Sequence, residues 1–138
     1  MKSRTLRPSL LRQVTAIALA TIWISFSEFL RNQLLFKAFW TDHYTSLGLV
    51  FPQKATNGAI WGLWSLGLAS LIYILAPKFT FKQTVVVTWF SGIVLMWIAI
   101  GNLGVLPVKL LVPAIPLSII EVLVATVIVT KLQKTLSK

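Results

Sequence analysis

The chain has 138 residues, of which 57% are hydrophobic and 12% charged, and its mean hydropathy is +0.83. Soluble domains carry about 25% charged residues, so this composition excludes a water-soluble globule. Thirteen basic residues oppose three acidic ones, giving a formal charge of +10, and there is no Cys, which excludes disulfides, thiol catalysis and Cys-ligated metals.

A helix needs about 20 mostly apolar residues to cross the hydrocarbon core. Four stretches meet that length, at approximately 14–36, 57–76, 84–106 and 113–130. Each is continuously apolar rather than alternating with period two, which argues against a barrel. The expectation is an all-α integral membrane protein: one multi-pass domain over 1–138, folded as an antiparallel four-helix bundle.

The first span passes Trp23, Phe26 and Phe29 toward Phe36. A basic arm followed by Ala18-Leu19-Ala20 is similar to a signal peptide. The apolar run continues well past Ala20, so the reading is an uncleaved span. The connector Thr41–Thr56 carries Asp42, His43, Tyr44, Gly48 and Pro52, with room for a short interfacial helix. The second span holds Gly58, Gly62, Ser65 and Ala69 at i, i+4, i+7 and i+11. They form one small-residue stripe, a helix-packing face for the bundle interior or for a second copy. Pro77-Lys78 ends this span and Lys82 precedes the third, which Pro107 closes. Pro113 suits the first turn of the fourth helix, and Pro116 follows one turn later.

Nine of the 13 basic residues gather on one side: Lys2, Arg4, Arg7, Arg12, Lys78, Lys82, Lys131, Lys134 and Lys138. By the positive-inside rule that side, with both termini, is cytoplasmic. Phe39, Trp40, Tyr44 and Phe51 suit the outer interface, and Tyr73, Phe79, Phe81 and Trp89 the inner one. The basic arm is read as a topogenic signal, with contact to anionic headgroups as the alternative. The expected partners are the lipid bilayer, a second copy or another membrane protein, and a small solute. Nucleic acid is not expected.

The three acidic residues lie in or near the outer half. Glu28 is 14 residues beyond Val14, hence ~21 Å above the inner boundary. Glu121 is eight residues past Pro113, ~12 Å below the outer boundary. Both carboxyl groups therefore sit at similar depth. Arg31 lies one turn from Glu28 on the same face. Asn57 and Asn102 send amides toward the same level, and Asp42 and His43 lie just outside.

Ionisable groups inside a membrane normally face the bundle interior or a watery cavity and mark a functional site. Glu28, Arg31, Asn57, Asn102 and Glu121 are thus the candidate ligand-binding residues, with Asp42 and His43 secondary. The competing reading is a buried polar clamp. One Arg pairs fully with one carboxylate, which leaves the second to find water, a proton or another partner. An open pocket holding both glutamates favours binding or transport of a small solute or proton, with Glu28 and Glu121 carrying the charge, Arg31 tuning them, and Asn57 and Asn102 orienting the ligand. A closed Glu–Arg–Glu cluster beside an exposed small-residue stripe favours an accessory or assembly role. Glu28, Glu121, Asp42 and His43 make a poor metal site, because no second His is present and Arg31 repels a cation. An enzyme acting on lipid ranks third, since no nucleophile elbow, phosphate cradle or cofactor motif accompanies the acids, and no cofactor is expected. Ser25 and Ser27 are read as packing or back-bonding residues.

Glu28, the Trp40-Thr-Asp-His-Tyr44 to Leu47-Gly48 connector, Asn102 and Glu121 give a layout that resembles small bacterial four-helix membrane proteins of no assigned activity. The resemblance covers nearly the whole chain and implies a multi-pass bundle in the bacterial inner membrane. An acid in span one is also similar to small multidrug exporters, but Arg31 and the long outer connector depart from that pattern.

Overall fold

The computed structural model describes residues 10–135, all of whose regular structure is helical. Lys2, Arg4, Arg7 and Lys138 of the charge argument lie outside the described residues. The helices are α1 (Leu10–Leu35), α2 (Lys37–Ser46), α3 (Ala55–Leu75), α4 (Phe81–Asn102) and α5 (Leu111–Thr135). A single 3-10 turn, Val108–Leu110, leads into α5. Four helices, all but α2, are long and apolar enough to cross a membrane, which suggests membrane insertion. α1 starts four residues before the expected boundary, and α5 runs five residues beyond it. The polar flanks Arg12 and Lys131–Lys134 continue the helices because nothing there breaks the backbone ladder.

Helix ends follow local chemistry. Thr80 caps α4: its Oγ1 accepts from Gln83 N at 3.3 Å, while Gln83 Oε1 accepts from Thr80 N at 3.1 Å. This reciprocal box satisfies two N–H groups. At the far ends of α2 and α4, Gly48 and Gly104 adopt φ of 70° and 76°. Leu49 N then donates to Tyr44 O at 2.9 Å and Val105 N to Ile100 O at 3.2 Å. Only a residue lacking Cβ reverses the chain this way without steric cost.

α1 packs against both α3 and α5, and α4 packs against α3 and α5 from another side. The inward face of α1 is Ala16, Ala20, Ile24 and Glu28, each four residues after the last. Small residues at that spacing let helix axes approach. The buried faces of its neighbours carry Ser65, Leu68, Ala69 and Ile72 on α3, and Ala114, Ser118, Val122 and Ala125 on α5. Outward faces are apolar, as lipid requires: Ile22, Phe26, Leu63, Phe90, Ile98 and Ile120 are all exposed.

The small-residue stripe on α3 divides in two. Ser65 and Ala69 are fully buried. Gly58 and Gly62 have open space where a Cβ would stand. The expected close helix contact within the bundle is therefore not found at this pair. The tight glycine contact is instead Gly92 of α4, where an added Cβ would collide with the Leu68 side chain of α3. Gly92 lies within a wide i→i−5 turn, Trp89–Val94, which locally re-aims the helix face.

Candidate functional site

Two rows of side chains on α1 build a buried ionic cluster. Trp23, Ser27 and Arg31 are spaced four apart and share one face. All three reach α5 at a single residue, Glu121. Trp23 Nε1 donates to the Glu121 backbone oxygen at 2.9 Å, and Ser27 Oγ donates to Glu121 Oε2 at 2.7 Å. Arg31 Nη1 lies 3.2 Å from Glu121 Oε2. The neighbouring row is Glu28 and Asn32. Arg31 Nη2 pairs with Glu28 Oε1, and Asn32 Nδ2 donates to Glu28 Oε2 at 2.7 Å. Asn32 Oδ1 accepts from Trp40 Nε1 at 2.9 Å, which ties α2 to the cluster.

Arg31 thus stands between two carboxyl groups, and all three side chains are buried. Low dielectric strengthens each ionic contact and raises the cost of any group left unpaired. Both Glu28 oxygens are satisfied. Glu121 Oε1 and Arg31 Nη1 are buried without a hydrogen bond among the described residues. A wide turn over Leu30–Leu35, with Phe36 N bonding Arg31 O at 2.9 Å, rotates Arg31 inward at the end of α1.

Beside the cluster lies a cavity of about 660 Å³. Its walls come from the ends of α1, α3 and α4, from α2, from the segment 51–54, and from Val105, Leu110 and Ala114 at the approach to and start of α5. Glu28, Arg31, Asn32 and Gln33 make its polar side. Trp40, Tyr44, Phe51, Trp61 and Trp97 supply aromatic surface, and Gly58, Gly62 and Ser65 form a smooth strip along α3. Trp40 stacks on Phe51 with centroids 5.6 Å apart, and Tyr44 meets Phe51 edge-on at 5.3 Å. These three rings roof the cavity. The volume falls in the usual range for small-molecule pockets, about 300–1,000 Å³.

The candidate residues separate by position. Glu28, Arg31 and Asn57 line the cavity, and Glu121 sits behind Arg31, off its wall. The two glutamates share an arginine but do not share the cavity. Asn57 Oδ1 accepts from Lys54 N at 3.1 Å at the start of α3, a helix-end role. Asn102 is exposed at the end of α4 and lies outside the cavity lining. Asp42 is exposed, and His43 Nε2 is 2.8 Å from Gly104 O, which joins α2 to the turn after α4. No group of three metal-ligating residues exists among the described residues.

Sequence reasoning missed the roles of Trp23, Ser27 and Trp40. The signal for the first two was available. Counting back from Arg31 by fours gives Ser27 and Trp23, so three donors face one neighbour. Trp40 carries no such signal, because its bond to Asn32 depends on how α2 folds back.

No family model matches the chain, and comparison with curated proteins and with solved structures finds no match.

Proposed function

We propose that this is a single-domain, multi-pass protein of the bacterial inner membrane that binds a small amphipathic solute in the cavity between α1, α3 and α4. The bundle is antiparallel, with both termini in the cytoplasm and the cavity at the opposite, outer end. One observation carries the reading: the buried Glu28–Arg31 pair forms one wall of a cavity whose other walls are aromatic and apolar. Polar groups this expensive to bury mark functional sites inside membranes. Glu28 and Arg31 orient the polar part of the solute, the aromatic rings hold its apolar part, and Glu121 fixes Arg31 from behind.

A second reading has its own support: the Glu28–Arg31–Glu121 cluster is closed, and the cavity holds one glutamate rather than both. Glu121 is sealed away from the cavity and held by two hydrogen bonds and one ion pair, which suits a structural clamp in an accessory or assembly protein.

The chain has no Cys, so single cysteines are informative. Gly62→Cys should react with a water-soluble thiosulfonate applied from outside, and lipid-facing Leu63→Cys should not. Tetraphenylphosphonium and tetraphenylborate have one shape and opposite charge. Protection of Gly62→Cys by either ion, weakened by Glu28→Gln, supports binding and gives the preferred sign. Reaction without protection by either ion favours the assembly reading. No reaction at Gly62→Cys rejects an open cavity.

A further inference from the structure

The segment between α2 and α3 has an unusual surface for a loop. Leu47, Leu49 and Val50 are exposed, Val50 by 90%. The next residue, Phe51, turns the other way and roofs the cavity with Trp40 and Tyr44. One short segment therefore presents apolar side chains on both of its sides. His43 bonds Gly104 O, so the turn bearing Leu103, which is 71% exposed, joins the same rim. Isolated exposed apolar residues are ordinary, but a contiguous set marks an interaction surface.

Charge identifies the occupant. At this end of the bundle Lys37, Lys54 and Lys109 are exposed, against one exposed acid, Asp42. Leu49, Val50 and Lys54 also border an open hollow against α2, whose other wall carries Thr41 and Thr45. Apolar side chains beside lysines and hydroxyls match the boundary between acyl chains and anionic headgroups. A water-exposed protein partner with acidic groups would satisfy the lysines but not the leucines.

We infer that the segment 47–54 lies in the outer membrane interface, with Leu47, Leu49 and Val50 among the acyl chains and Lys54 at anionic lipid headgroups. The roof of the cavity is then anchored to the bilayer, and the cavity mouth stands at headgroup level. This rests on the reading of the four long helices as membrane spans.

Spin labels at Val50→Cys, Asp42→Cys and Ile98→Cys test it in reconstituted vesicles. Collision rates with oxygen, which favours lipid, and with a water-soluble nickel chelate give depth. The expected ratio of oxygen to nickel collisions is several-fold higher at Val50 than at Asp42, and highest at Ile98. In vesicles with one quarter phosphatidylglycerol, Val50 should lie deeper than in phosphatidylcholine alone, and Lys54→Gln should remove that difference. Equal ratios at Val50 and Asp42, with Ile98 deep, overturn this inference alone. A shallow Ile98 removes the membrane spans themselves. Low collision rates with both reagents at Val50 indicate protein covering the segment, from a second copy or another chain, and also overturn the inference. An unchanged depth with phosphatidylglycerol rejects the headgroup contact of Lys54.

Discussion

Arg31 on α1 faces Glu121 on α5 with Nη1 and Oε2 3.2 Å apart, while its other terminal nitrogen pairs with Glu28. One guanidinium therefore holds two buried carboxyl groups, one within its own helix and one across a helix interface. Removing the shared cation and removing either anion should have very different consequences.

Arg31→Ala should cost about 3–5 kcal/mol, because it leaves two buried carboxyl groups without their cation. Glu121→Gln should be much milder, near 1 kcal/mol, since the amide oxygen still accepts from Ser27 and faces Arg31. Unfolding in detergent of the single variants and the Arg31→Ala/Glu121→Gln double variant measures the coupling. Neighbours in one network are expected to be non-additive by about 0.5–3 kcal/mol. Strict additivity would show that the contact across α1 and α5 contributes nothing.

Gly92→Val should destabilise by about 1–3 kcal/mol, because the new side chain meets Leu68 in a filled interface. Gly62→Ala should change stability by less than about 1 kcal/mol, as its Cβ enters open space. Thermal stability of the two variants in the same detergent separates them. The reverse order would place the tight contact on the cavity side of α3.

Asn32 accepts from Trp40 and donates to Glu28. Asn32→Ala should cost about 1–3 kcal/mol, since it strips both partners at once. Trp40→Phe removes only the indole donor and keeps the ring over Phe51, so about 1 kcal/mol is expected. Comparable losses from the two variants would mean that Asn32 serves Trp40 alone and leaves Glu28 unaffected.

In the proposed orientation, which follows the positive-inside rule, both termini lie in the cytoplasm. A reporter fused after Lys138 should report the cytoplasm, and a label on Asp42→Cys should be reached by an impermeant reagent from outside. A label at Asp42 reached only after the membrane is opened, with an exterior reporter, would invert the bundle.

The four long helices were legible because their signal is summed over about 20 residues and survives errors at the ends. The depth match of Glu28 and Glu121 was legible for a similar reason: rise per residue is fixed along a helix. It did not reveal that Arg31 would contact both acids, since the expectation was a full pair with only one of them. Rotation about the helix axis is less forgiving. The wide turns at Leu30–Leu35 and Trp89–Val94 shift the faces beyond them, and no residue pattern announced either turn.

Composition, apolar run length and caps thus determined how many helices form and roughly where each ends, since those depend on local backbone chemistry and burial. Which faces meet was decided by tertiary packing. Gly58 and Gly62 have the spacing of a helix contact yet border a cavity, while Gly92, with no glycine one turn away, makes the close approach. Small residues permit two helices to touch, but only the competing fit of all the helices selects where they do. The same competition put Glu28 on the cavity wall and Glu121 behind Arg31, a separation of roles that two acids at equal depth do not reveal.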